Sequence, residues 1–386
     1  DDELTIPNCG LLFQDGIKEQ SIEIVESNGN KIFFTSSVTN GSKTKYTFDI
    51  FSACFYLLSR YEEYLPHKKD KYGRYSHKNS LAFKENFLQL PLINIWLNDF
   101  TGWLQKQNGN FQFQKNSFRF IPTYDVDLAY SFLHKGVTRT TVGGLQALLG
   151  LKFDLLNQRL KVLSGNKKDP FDNYNWLDEL HLQYDLKPLY FFLVAEKNGT
   201  YDRNILPSTK AMQQLIKQHA EKYSIGLHPS WQSGDEKNLI KKEKEILENI
   251  SNYEIFNSRQ HYIRFNLPEG YRSLIESGIT DDYSMGYGAS NGFRASVASS
   301  FYWYDLENNV QTKLKAHPFC YMDSTAIFIQ KLSTQQAYNE MLHYYNICKN
   351  VKGEFIAIMH NNNLREETIE WKNIYKGFLN YIMKAE

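Results

Sequence analysis

The chain has 386 residues, 44 of them Lys or Arg and 43 Asp or Glu; at a formal charge of +1, nothing electrostatic favours nucleic acid or a membrane surface as the main partner. The length excludes a single small core and predicts two domains, or one large barrel with an appendage. Aromatic residues (26 Tyr, 26 Phe and 6 Trp) are numerous enough both to fill a core and to offer platforms for sugar rings.

Up to about Asn116 the pattern is mixed. Short β-like runs lie at 22–25 and 31–34, followed by an aromatic helical stretch over 48–64 whose buried stripe is Ile50, Phe51, Cys54, Phe55, Leu57 and Leu58. The polar segment 66–74 reads as a solvated loop. From Phe118 onward strands and helices alternate. Strands are predicted at 118–124, 189–194, 225–228, 261–265 and 355–360. Between them, a helix opened by Ser208 carries Met212, Leu215, Ile216, His219 and Tyr223 on one face, and another has Leu239, Ile240, Ile246, Leu247 and Ile250 as its stripe. Ser333 and Gln336 form a capping box for a third helix running to Cys348. Such alternation predicts a parallel sheet or an α/β barrel over residues 116–386, preceded by a smaller α/β domain over 1–115.

The four cysteines, Cys9, Cys54, Cys320 and Cys348, show no metal-ligand spacing and are expected to be buried small hydrophobes in a reducing compartment. No run approaches the roughly 18 apolar residues of a membrane span, and the polar opening Asp1-Asp2-Glu3-Leu4 has no signal-peptide core, so a cytoplasmic location is expected.

In parallel α/β folds sites lie at the C-terminal ends of the strands, which selects the residues to inspect. The first strand ends in Thr123-Tyr124-Asp125-Val126-Asp127, whose two carboxylates point to one face and can address one metal ion. Phosphatases of the haloacid dehalogenase type and metal-dependent glycosyltransferases also follow a strand with two such acids. A later strand runs into His228, with Pro229, Ser230, Trp231 and Gln232 after it, and the last one ends at His360. Between them lie Arg259, His261 and Arg264.

This order of motifs resembles the polysaccharide deacetylase family, the NodB-homology or carbohydrate esterase family 4 fold. Its first motif is similar to 123–127, its H-S/T-x-x-H motif to 228–232 with Gln232 where the second histidine stands, its arginine motif to 259–268, and its terminal histidine motif to the segment ending at His360. The whole chain looks like a divergent bacterial branch of that family, through the segment Phe55 to Tyr64 and strings similar to Asp282-Tyr283-Ser284-Met285-Gly286-Tyr287 and Gly292-Phe293-Arg294-Ala295. The resemblance implies a distorted (β/α)7 barrel and a metal-dependent hydrolase that removes an acetyl group from a saccharide nitrogen. Asp125 would be the general base and His360 the general acid. Asp127 and His228 would hold one divalent ion, most naturally Zn, with His261 or Gln232 third. Arg259 or Arg264 would orient Asp125, while Trp231, Tyr287 and Arg294 would meet the substrate. Two other readings stay open. One is a saccharide-binding protein on a decayed barrel, supported by the missing histidine. The other is a phosphatase with Asp125 as nucleophile and Asp281-Asp282 holding Mg²⁺.

Overall fold

The computed structural model describes residues 4–35, 45–114, 116–365 and 368–384. In chain order its strands are β1 (Val25–Ser27), β2 (Asn30–Ile32), β3 (Arg119–Val126), β4 (Leu189–Phe192), β5 (Ser224–Leu227), β6 (Asn257–Ser258), β7 (Asp281–Asp282), β8 (Phe301–Asp305), β9 (Val310–Ala316), β10 (Tyr321–Met322) and β11 (Glu354–His360). Strands and helices alternate and most pairings are parallel, so the α/β class expected from the sequence is the one observed. The chain divides into two compact units, both discontinuous in sequence. One comprises the residues up to Phe120 with 263–321 and 343–356, the other 121–262, 322–342 and the residues from Ala357 on.

In the first unit, the aromatic stretch folds as the helix Ile50–Leu58. Asp49 caps it, accepting from Ser52 N (3.0 Å) and Ser52 Oγ (2.7 Å). The helix stops where Arg60 takes a left-handed φ of 55°. Phe33, at the centre of this unit's core, meets Tyr56 and Trp96 edge to face. The expected strand at 22–25 contributes only Val25. Asn28 and Gly29 both have positive φ and make a tight turn, which fixes Ser27 opposite Asn30 and Val25 opposite Ile32. The 66–74 segment is not wholly solvated, because Arg74 is buried and its Nη2 lies 2.8 Å from Asp70 Oδ2. Cys9 is exposed, which corrects its expected burial; Cys320 and Cys348 are buried, and all four cysteines are free thiols.

The second unit carries the strand order β11-β3-β4-β5-β6, with β3 from Ile121 and β11 from Ala357 on. Tyr190 pairs with both Tyr124 and Ile225, so the strands run in step. Gly226 is required in β5, since a Cβ there would lie 2.7 Å from the Phe191 ring. The helix Lys210–Lys222 begins one residue later than expected, capped by Thr209, and buries Met212, Leu215, Ile216 and His219. The helix Asn238–Ser251 buries Ile240, Leu247 and Ile250. The Ser333 capping box is formed: Ser333 N donates to Gln336 Oε1 (2.9 Å) and Gln336 N to Ser333 Oγ (3.3 Å). The predicted strand at 261–265 is absent. The strand is Asn257–Ser258, and His261–Ile263 is a 3-10 turn in which Tyr262 and Ile263 have φ of 59° and 53°. His261 therefore follows a strand instead of opening one. Among the described residues no helix is long and apolar enough to cross a membrane.

Candidate active site

The parallel register sets the site. Val126 is opposite Phe192, Phe192 opposite Leu227, and Leu227 opposite Ser258. Asp127, His228 and Arg259 are thus each the first residue beyond one common level, and His360 is the last residue of β11. Side chains from four separate strands arrive together, as the strand-end rule predicts.

Asp125 is buried and oriented by a guanidinium. Arg259 Nη1 donates to Asp125 Oδ1 (2.8 Å) and to Thr123 Oγ1 (2.8 Å), and the Thr123 hydroxyl donates to the Ala357 carbonyl (2.7 Å). The guanidinium also lies 4.4 Å from the Phe191 ring centroid. Asp125 Oδ2 faces His228 Nε2 at 3.8 Å.

Two of the three histidines near Asp127, His228 and His261, have their tautomers fixed by their neighbours. His228 Nδ1 is bonded to the Arg259 carbonyl, which can only accept, so Nδ1 carries the proton. Its Nε2 then faces Asp127 Oδ1 at 3.0 Å. His261 Nδ1 is 2.8 Å from Asp202 Oδ1, and its Nε2 lies 3.6 Å from Asp127 Oδ2. Asp202 is itself pinned by Trp231 N (2.8 Å) and by Gln232 Nε2 (3.2 Å). A carboxylate or carbonyl holding the far nitrogen of an imidazole is the usual outer support of a metal-binding histidine.

These donors fit a metal ion. One ligand atom from each of Asp127, His228 and His261 lies within 4.8 Å of the others. Asp127 Oδ1 is buried and receives no hydrogen bond, because the nitrogen facing it presents a lone pair when Nδ1 holds the proton. Two lone pairs at 3.0 Å repel, so the site needs a cation, either a proton or a metal ion. The electrostatics agree. Burial alone would raise the Asp127 carboxyl, yet the charges of His261 and then His360 hold it well below the usual carboxylate range. Burial would lower His261, but Asp127 and Asp202 lift it to about 9. With the His261 Nε2 proton displaced, one carboxylate and two imidazoles would make a three-ligand set of the kind that holds zinc with a position left for chemistry.

His360 forms a separate dyad. Its Nδ1 is 2.5 Å from Asp323 Oδ1, and its Nε2 is 3.6 Å from Asp127 Oδ2. Asp323 Oδ2 accepts from His360 N (2.8 Å) and from Asn363 Nδ2 (3.0 Å), which fixes the carboxylate. Burial pushes His360 down, but Asp323 first, then Asp127 and Asp125, raise it to about 10.

Of the residues singled out from the sequence, Asp125, Asp127, His228, Arg259, His261 and His360 converge here. Gln232 is outside the cluster of three and braces Asp202. Trp231 stacks on Tyr201 with centroids 3.9 Å apart and meets Tyr262 at 5.3 Å, and Tyr262 lies 4.7 Å from the His261 ring. Arg264, Tyr287 and Arg294 belong to the first unit. There Arg264 Nε donates to the Tyr72 carbonyl, and Arg294 donates through Nε and Nη2 to Glu63. Tyr287 accepts from Arg60 Nη2 at 3.3 Å. Asp281, expected to hold Mg²⁺ in the phosphatase reading, instead lies 2.8 Å from His317 Nε2, while Asp282 accepts from Ser284.

Three supporting residues were not found from the sequence: Thr123, Asp202 and Asp323. Asp323 directly follows β10 as Asp127 follows β3, but a two-residue strand leaves no periodicity to read. Thr123 sits two residues before Asp125 and so shares its face, a signal that was available.

Residues 1–109 match a sequence family of unknown function (DUF7033). No curated protein matches the chain. Among solved structures, a protein from Mycobacterium smegmatis assigned to the polysaccharide deacetylases is 11% identical, with 71% of this chain and 86% of that chain covered at a TM-score of 0.46. A carbohydrate esterase family 4 pseudoenzyme from Bacillus anthracis is 10% identical, covering 68% and 63% at a TM-score of 0.33. The peptidoglycan N-acetylglucosamine deacetylase Bc1960 is 13% identical, covering 72% and 90% at 0.33. With each of these TM-scores below 0.5, the site's own geometry carries the functional argument.

Proposed function

We propose that this protein is a metal-dependent hydrolase of N-acylated saccharides, releasing a carboxylate and a free amine. The observation that carries the reading is the pair of imidazoles on Asp127. Both have their Nδ1 protons claimed elsewhere, and both turn Nε2 toward one under-bonded carboxylate. Asp127, His228 and His261 would hold one divalent ion, taken to be Zn from the carboxylate and imidazole donors. Such an ion, when bound, supplies Lewis-acid polarisation of a carbonyl and makes a nearby water more acidic.

The remaining steps belong to side chains. Asp125, with one oxygen held by Arg259, is left its other oxygen to accept a proton from the attacking water. The water oxygen bonds to the acyl carbon, and the bond from that carbon to nitrogen breaks. His360, kept protonated by Asp323, gives the Nε2 proton to the departing amine. The saccharide assignment rests on Trp231, Tyr201 and Tyr262, an aromatic cluster next to His261 on which a sugar ring can stack.

Acetate release from N-acetylated chitin, peptidoglycan and capsular oligosaccharides by zinc-loaded protein tests the reading, with phosphate release from a phosphomonoester as control. Acetate without phosphate is expected. Sugar binding with neither product would move the protein to the decayed-barrel reading, and phosphate alone to the phosphatase.

A further inference from the structure

The near-neutral charge of the whole chain conceals one segment with a different balance. Over residues 136–163 there are four Lys and Arg residues and one acid, Asp154, a surplus of three positive charges in a chain of net +1. In the second unit this segment folds as two short helices, Gly136–Leu149 and Phe153–Leu163. They cross closely at Gly143, where a Cβ would meet the Arg159 guanidinium at 2.6 Å.

The hairpin hides almost nothing. Ala147 is the only buried residue of the first helix and Val162 of the second. Val142, Leu145 and Leu149 make an exposed stripe on one, and Phe153, Leu160 and Leu163 on the other, each at helical spacing. Leu149 and Leu151, on either side of the turn, are 74% and 73% exposed. Ten of the 29 exposed large hydrophobics among the described residues fall within 137–163, far above the scattered exposure that is normal for a surface. Lys152 sits exposed between Leu151 and Phe153, and Lys161 is exposed on the second helix.

We infer that this helical hairpin docks on an anionic lipid surface, lying in the headgroup region with its apolar stripes and turn in the acyl boundary. Helices of 14 and 11 residues are too short to span a bilayer, which needs about 20, but suit an interfacial position. The charge decides between occupants. Two copies of the hairpin face to face would oppose two cationic segments, whereas anionic headgroups neutralise them. The inference is independent of the hydrolase reading.

The test is sedimentation of the full chain with vesicles of phosphatidylcholine alone and with added phosphatidylglycerol, at physiological ionic strength. Binding to the anionic vesicles and little to the neutral ones is expected. Replacing Leu149, Leu151 and Phe153 by Ser should lower the partition at least tenfold with unchanged circular dichroism, and Lys152→Glu and Lys161→Glu should each cost roughly fivefold on anionic vesicles only. Equal partition of the wild type and the triple variant would overturn the inference. So would absence of binding to anionic vesicles, or a dimer in solution that the Ser substitutions dissociate, which would make the hairpin a self-interface.

Discussion

Two buried clusters of charge, one in each unit, have opposite character. In the first unit Glu63 receives Arg60 Nε (2.8 Å), Arg294 Nε (2.9 Å) and Arg294 Nη2 (2.5 Å), while Arg60 Nη2 donates to Glu62 and Tyr287. Both carboxylate oxygens are used, and Arg294 also stacks on Phe265 at 4.5 Å. In the second unit Asp127 is surrounded by three imidazoles, yet one of its oxygens has no donor. A closed network in which both oxygens of Glu63 are held by guanidiniums holds a fold together. An open one made of titratable groups is poised to accept something.

The largest way to test that contrast is through turnover. Asp125→Asn and His360→Ala should each lower acetate release by about 10²–10⁴-fold, the range of a general acid or base, with unchanged circular dichroism. A drop of less than tenfold in both variants would show that these are not the proton-transfer groups.

The next largest effect is on stability, and it falls on the other cluster. Glu63→Gln leaves the buried Arg294 guanidinium without a counter-charge and Arg60 with Glu62 alone, and should cost about 3–5 kcal/mol in urea unfolding. Asp127→Asn in metal-free protein should cost less, about 1–2 kcal/mol, because histidines can shed their protons whereas arginines cannot. Equal losses would erase the distinction. The pH dependence has a definite sign. Burial opposes ionisation of Glu63, but Arg294 and Arg60 hold its carboxyl down at about 2. Its folded value is below the unfolded one, so its stabilisation is present above about pH 4.5 and is lost as pH falls toward 2. That acid sensitivity should be blunted in Glu63→Gln.

A smaller effect of opposite sign comes from Glu243, behind the strand-end loop. Burial raises its carboxyl to about 7, although Ser230 N donates to it at 2.8 Å. The folded value lies above the unfolded one, so this contribution is complete below about pH 4.5 and disappears as pH rises through about 7. Glu243→Gln keeps an acceptor for Ser230 N and should be the more stable form at pH 8, by about 1–3 kcal/mol, with the gap closing in acid. A constant difference between pH 4 and 8 would mean that the Glu243 carboxyl titrates alike in the folded and unfolded chain.

The contrast between the clusters also explains what could be read from the sequence. Asp125 with Asp127, His228 and His360 were legible because they lie at the ends of three strands with apolar runs, and the strand-end rule then gathers them. His261 was found for a partly mistaken reason: the expected strand at 261–265 is a turn with two left-handed residues, and its histidine reaches Asp127 from beyond β6. Arg294 and Tyr287 stood out as parts of specific strings, but a string cannot say whether an arginine faces a ligand or a buried Glu63 more than 200 residues away. Asp202 and Asp323 depend on contacts across 59 and 37 residues and carry no local pattern. The cationic hairpin was invisible to net charge because an acidic remainder cancels it.

The open cluster is tested most directly by zinc stoichiometry and affinity, measured on wild type, His261→Ala and Gln232→Ala after loading and desalting. One zinc per chain is expected in the wild type and close to one in Gln232→Ala, with affinity at least tenfold weaker in His261→Ala. Zinc retained at wild-type affinity in His261→Ala but lost in Gln232→Ala would contradict the assignment of Asp127, His228 and His261 as the metal site.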